Sequence, residues 1–423
     1  MTSSITPFVT RTDRLHGLDA LRGLALMLGV LVHASMSFIP GAQYFWLVAD
    51  SQPNAWLGLG FHVPHMFRMI LFFLLAGFFG RMALHRLGLK SFIHDRAKRI
   101  GLPLLAGWPI SLVAITAVLV LGTLMINGGV LPPESPPGPT FAPDDFPLTH
   151  LWFLYELLIA YGVMLLLRAL FNSIDRRGQL RSTTDIVMRF ACGRVAPLLL
   201  AIPLCAALYA QPQWYGWFGI PTPDSALYPN LAAAAGFGSA FAFGWLLQRQ
   251  NGLLERINRL CWSNLSLALI TTVASLWIYG LSPGFGPSVP GSDKLLQAAL
   301  YSVASWGWTF ALIGLTLRYF ADFNPVRRYL ADASYWIYLA HLPLVVALQF
   351  AVAPLTWPAP LKLGIILVLS MAMLVLSYHW LVRFSFIGAI LNGRKRVRRI
   401  RAEPTPPLSV PARAGATSRV RAE

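Results

Sequence analysis

Residues 61–81 read FHVPHMFRMILFFLLAGFFGR, and this stretch decides what kind of molecule the chain forms. From Met69 to Gly80 no side chain is polar, and Arg81 closes the run. A helix needs roughly 20 mostly apolar residues to cross a bilayer. Hydrocarbon offers no water to the backbone, so a spanning segment must satisfy its own N–H and C=O groups, and a helix does so. Runs of the same kind lie on either side, at about 18–39, 62–80, 102–126, 150–171, 196–210, 231–247, 265–281, 295–319, 330–351 and 361–382. The fifth is the weakest, being short and broken by Pro203. The expected fold is an all-α integral membrane protein, a polytopic bundle of about ten transmembrane helices.

Composition agrees with that expectation. Hydrophobic residues make up 56% of the chain and charged residues 12%, against roughly 25% charged in a soluble domain. So few charges cannot cover the surface of a soluble protein of this length. The net charge of +17 would suggest nucleic acid if the basic residues formed one patch, but they are spread over alternate loops. Arg81, Arg86, Lys90, Arg96, Lys98 and Arg99 follow the second span, and Arg168–Arg194 follows the fourth. Arg249, Arg256 and Arg259 come next, then Arg318, Arg327 and Arg328, then RKRVRR at 394–399. The intervening stretches 40–60, 127–149, 211–230 and 352–360 hold no Lys or Arg. Basic loops mark the cytoplasmic side, so both ends are expected inside, in a bacterial inner membrane. The charge is then a topology signal and an attraction to anionic lipid, not a sign of nucleic-acid binding. Cys192, Cys205 and Cys261 have no disulfide or metal-ligand spacing. The N-terminus shows no cleavable leader pattern, so the first span is expected to anchor itself. The division is a cytoplasmic segment 1–13, a membrane domain 14–385 and a basic tail 386–423 without packed structure.

Ionisable residues inside spans are expensive and mark function by default. The first span, RLHGLDALRGLALMLGVLVHA from Arg14, carries Asp19, Arg22 and His33. Eleven residues bring Arg22 and His33 back to nearly the same face, roughly 16 Å apart along the axis. Arg22 also reads as a snorkelling anchor. In the second span His62, His65 and Arg68 share a face by their spacing. Arg68 would otherwise pair with Glu156 of the fourth span or Asp332 of the ninth. His62 and His65 lack a third metal ligand, so no metal is expected. Arg96 and Arg99 precede the third span, and an arginine fork suits phosphate. His150 and Trp152 open the fourth span, with Trp152 also readable as an aromatic-belt residue. Asp332, Ser334, Tyr338 and His341 recur at helical spacing in the ninth.

Five motifs, in order along residues 14–385, resemble the integral-membrane acyltransferase 3 family. They are LDALRG with ten residues between Arg22 and His33, FFLLAGFF from Phe72, the Arg96–Arg99 pair followed by IGLP, HLWFL from His150, and SYWIYLAH from Ser334. The sequence looks most like the glucan biosynthesis protein C branch. The resemblance implies transfer of an acyl group, such as succinyl or acetyl, from a cytoplasmic acyl-CoA co-substrate to a hydroxyl of a periplasmic glucan or other envelope sugar. It implies no bound cofactor. It puts the chemistry on His33, with His341 as the alternative base, and the donor near Arg22, Arg96 and Arg99. Asp19, Arg68, Glu156, Ser334 and Tyr338 would form a supporting polar network. His62, His65, His150 and Trp152 would face the acceptor. Ala76 stands where many members carry serine, which speaks against a catalytic role there. The competing reading is a transporter or flippase of a sugar or lipid-linked substrate, for which buried His, Arg and Glu also suit; no repeat supports it. A subunit without activity is the third reading, and the clustered polar residues oppose it.

Overall fold

A computed structural model describes residues 16–130, 138–250 and 252–393. Those residues form fifteen α-helices joined by short 3-10 and π turns, and no strand occurs among them. In chain order they are α1 (His16–Met36), α2 (Leu59–Leu87), α3 (Leu89–Arg96), α4 (Leu102–Ile126), α5 (Trp152–Ile174), α6 (Gln179–Phe190), α7 (Ala196–Ala210), α8 (Leu231–Ala233), α9 (Ser239–Leu247), α10 (Gly252–Arg259), α11 (Cys261–Tyr279), α12 (Ser292–Tyr319), α13 (Pro325–Val352), α14 (Ala359–Ser377) and α15 (Phe386–Asn392). π turns link α3 to α4 (Ala97–Gly101) and α8 to α9 (Ala234–Gly238), and one extends α14 (Tyr378–Val382).

Among the described residues eight helices are long and apolar enough to cross a membrane by themselves, two fewer than the ten expected. The continuous run Leu231–Leu247 joins α10 across a 119° bend to make a ninth candidate. The run Ala196–Ala210 is shorter still, about 22 Å at 1.5 Å per residue against a hydrocarbon core of roughly 30 Å. α9 faces protein, packed on α2, whereas α7 packs one face on α12 and leaves Leu198, Leu199 and Ile202 exposed. Their missing length is made up by the segment between them, which folds into the bundle with Trp214, Trp217 and Ile220 buried.

Inter-loop bonds sort the molecule into two ends. At one, Ser51 Oγ donates to Ala353 O (3.0 Å), Leu227 N to Pro143 O (2.7 Å) and Ser288 N to Trp214 O (2.7 Å). This is the end of the loops poor in Lys and Arg. At the other, Arg81 donates to Gln248 (2.9 Å), and Arg249 grips Asp185 through two bonds of 2.8 Å. Those bonds hold the Asp185 carboxyl below its usual range. The chain from 196 to 247 therefore runs from the basic end to the neutral end and back, despite its short helices.

Packing places α2 at the centre, with 72% of its apolar window buried, while α5 has 11% and presents its apolar surface outward. α2 and α9 approach closely because glycines face each other's backbone. A Cβ on Gly77 would strike Phe241 O, and one on Gly244 would strike Leu74 O. Membrane helices rely on such small residues because lipid tails provide no hydrophobic drive between them. α1 lies along α13, with Gly23 against Ala331. Of the expected tail, Phe386–Asn392 is helix α15, packed on the Ala97–Gly101 turn. Residues 394–423 and 1–15 lie outside the described residues.

Candidate active site

α1, α2 and α13 meet in the interior with the turn Thr149–Leu151 that opens α5. There the two histidines expected to do chemistry lie side by side, His33 and His341 with ring centroids 5.2 Å apart. His150 stands edge-on to His341 at the same separation. His341 is 1% exposed. Its Nδ1 lies 2.7 Å from Tyr338 O. A carbonyl oxygen only accepts, so Nδ1 carries the proton and Nε2 keeps its lone pair. That Nε2 is buried without a partner, as is His33 Nδ1. His33 itself is only partly buried.

Arg68 completes the group. A Cβ built on Gly29 would lie 2.9 Å from an Arg68 terminal nitrogen and 3.6 Å from His341 Nε2. One cationic donor and one free lone pair thus converge on a spot that α1 leaves open by having glycine there. Arg68 Nε is buried and unpartnered. The expected ion pairs of Arg68 are absent among the described residues: Asp332 bonds Arg328 at 2.7 Å, and no bond joins Arg68 to Glu156.

The neutral-end loop covers His33. Trp46 stacks on its ring at 5.4 Å, and the indole N–H donates to Gln349 (3.0 Å). Gln349 in turn donates to His33 O (2.8 Å). His33 sits in the last turn of α1, nearer the neutral end than the middle of the span.

The expected acceptor face is split by the structure. His150 belongs to the histidine cluster, with Nε2 3.2 Å from Leu339 O and its own carbonyl accepting from Tyr338 Oη (2.7 Å). Trp152 is buried against Phe237 at 5.6 Å, so it is core and not a sugar platform. His62 donates Nδ1–H to Trp217 O (3.0 Å), and His65 stacks on Phe61. Tyr44 and Trp56 are exposed at this end, as are Phe141, Tyr228 and Trp357. Among the described residues no group of three or more His, Cys, Asp or Glu is arranged to hold a metal ion.

The expected polar network also divides. Asp19 and Asp332 lie at the basic end, joined through Arg328, while Arg68 and Tyr338 belong with the histidines. Ser334 bonds only its own helix, at Ala331 O.

The arginines expected to meet the donor, Arg22, Arg96 and Arg99, lie together at the basic end. Asp95 lies between Arg96 (2.6 Å) and Arg99 (2.8 Å). Arg22 and Arg86 are close enough to Arg99 to act on its charge. Arg96 is fixed between the rings of Phe92 and Tyr161, whereas Arg99 and Arg22 are the more open. Arg99 rides on the π turn Ala97–Gly101, a one-turn irregularity that often accompanies functional sites.

Sequence reasoning missed Gln349, Gly29, Asp95 and the place of Arg86 in this cluster. Gln349 had a signal, a lone amide in the apolar run LVVALQFAV. Gly29 had none, because its value lies in what α2 and α13 bring to it.

The acyltransferase domain family matches residues 15–379. Glucans biosynthesis protein C of Escherichia coli O1:K1 / APEC is 24% identical over 421 residues, covering 92% of this chain and 96% of its own. The protein of the same name from Shigella boydii serotype 4 (strain Sb227) is 23% identical over the same extents. No solved structure matches the chain. A multi-pass helical bundle matched by the acyltransferase family model over almost its whole length is an acyl-transferring membrane enzyme, and this chain belongs to the acyltransferase 3 family.

Proposed function

We propose that the enzyme takes an acyl group, succinyl or acetyl, from acyl-CoA on the cytoplasmic side and delivers it to a hydroxyl of a periplasmic glucan or other envelope sugar. The basic end is then cytoplasmic, both termini lie inside, and the membrane is the bacterial inner membrane. The observation that carries the reading is the convergence of Arg68 and His341 Nε2 over Gly29 beside the partly open His33. The relatives' names point the same way for the sugar.

In this reading the coenzyme A phosphates are held by Arg22, Arg86 and Arg99, with Arg96 positioning Asp95 between them. The pantetheine arm covers the distance up α1, on the order of 16 Å between Arg22 and His33. The acceptor hydroxyl arrives from the neutral end, under Trp46. His33 takes the hydroxyl proton as the oxygen bonds to the thioester carbon. Negative charge developing on the thioester oxygen meets Arg68, whose guanidinium is already in place and shielded from water. The carbon–sulfur bond breaks, and the coenzyme thiolate receives the proton from His33. His341, behind His33 and with its proton fixed on Nδ1, keeps the His33 ring oriented. Tyr44 and Trp56 are exposed at the acceptor's entrance.

The test is transfer by the purified protein in nanodiscs. Acetyl- and succinyl-CoA are supplied with a linear or cyclic glucan, and the products are read by mass spectrometry. Added acyl mass on the glucan with release of free coenzyme A supports the reading. Hydrolysis alone, or no consumption of either thioester, overturns it.

A further inference from the structure

A groove of about 530 Å³ opens at the basic end between α6, the turn after it and α10. It belongs to neither the arginine cluster of the donor nor the histidine cluster. Arg189, Arg194 and Arg256 line it together with Ile186, Phe190 and Val195. Asp185, the carboxylate that acts on Arg189, is occupied by Arg249. Arg256 spends one donor on Arg189 O (2.6 Å), which leaves the rest of its fork free.

The surroundings are apolar in a directed way. α6 turns Ile186, Val187 and Phe190 outward, each more than half exposed. An amphipathic helix with that face rests in the membrane interface. From Val195 at the rim, Leu199 and Ile202 follow at helical spacing on α7, and both are exposed. The groove therefore has a cationic floor at the basic end and an apolar track rising along a membrane helix. A soluble anion would use the first and leave the second bare.

We propose that this groove is a binding site for an anionic glycerophospholipid, its phosphate among Arg189, Arg194 and Arg256 and its acyl chains along α7. Basic pockets between membrane helices on the cytoplasmic side recognise such headgroups, and each added Lys or Arg near the surface strengthens the attraction. The site would couple α6 and α10 to the leaflet and hold the segment 175–195 at the membrane surface.

The experiment uses the full chain in nanodiscs of phosphatidylcholine with a minor share of phosphatidylglycerol, with retained lipid read by native mass spectrometry. The wild type should retain phosphatidylglycerol over phosphatidylcholine. The triple variant R189Q/R194Q/R256Q should lose that preference by about tenfold or more. Arg194→Gln alone, which removes no bond within the described structure, should weaken it about threefold to fivefold and guards against misfolding of the triple. R189K/R194K/R256K should keep most of it. Inorganic phosphate and acetyl-CoA, added separately, should not displace the lipid. Equal retention of the two lipids, or unchanged retention in both Gln variants, overturns the proposal. Displacement by inorganic phosphate overturns it in favour of a soluble anion, and displacement by acetyl-CoA in favour of a donor site.

Discussion

At the level of single residues, the structure turns two separate candidates into one unit. His33 and His341 were read from different spans as alternatives, and they are neighbours. His33→Asn keeps hydrogen-bonding capacity but takes no proton at neutral pH, so acyl transfer should fall about 100-fold or more while donor binding persists. His341→Asn should also lower the rate. The double variant should be little worse than His33→Asn, because groups acting as a unit do not add. Multiplied losses in the double variant, read as acylated glucan per matched amount of protein, would separate the two roles. Gly29→Ala should displace the Arg68 guanidinium from its place 2.9 Å away and reduce kcat with donor affinity unchanged; normal turnover would remove Arg68 from the chemistry. The sequence made the histidines legible because an imidazole in a membrane span has no cheap explanation. It could not reveal Gly29 or the proton on His341 Nδ1, which depend on the path of another helix.

Elements were legible where apolar length alone defines them. The eight long helices follow from hydropathy, whereas α7 and α9 are short and the segment around Trp214 fills the remaining depth. Reporter fusions after Gly60, Thr149 and Asp224 should signal periplasm, and fusions after Lys90 and Arg181 cytoplasm. A periplasmic signal at Lys90 would reverse the orientation. Gly244→Val should force α9 off α2, since even a Cβ meets Leu74 O, and detergent-solubilised protein should lose its sharp thermal transition. On the basic end, α6 is held by Asp185 to Arg249. Its carboxyl is depressed in the folded state, so this contribution is complete above an unfolded pKa of about 3.9. It is lost as pH falls through the lower folded value. Hydrogen exchange in α6 should accelerate below about pH 4 before the central α2 responds; simultaneous opening of both would contradict it.

Across the whole molecule, the neutral end is closed by a bond that joins the beginning of the chain to its last span. Lys362 is fully buried and reaches both oxygens of Asp50 at 3.0 Å, with Ser51 Oγ and Ala353 O at 3.4 Å. In the sequence Lys362 does no more than open the last span, because nothing local announces a partner 312 residues away. Lys362→Met should cost about 3–5 kcal/mol by leaving the Asp50 carboxylate buried without its counter-ion, and D50L/K362M should recover much of the loss. Thermal unfolding of the three variants in detergent is the measurement, and equal transitions for single and double variants would count against the pairing. The same bond sets an order of events during biosynthesis. Asp50 leaves the ribosome early, yet its counter-ion arrives only with the final span. Until then the cap carries a carboxylate that water must solvate, so the cap stays ajar. A nascent chain halted before α14 is thereby chemically unfinished in a way quality-control proteases could sense, and one carried through to Lys362 is not.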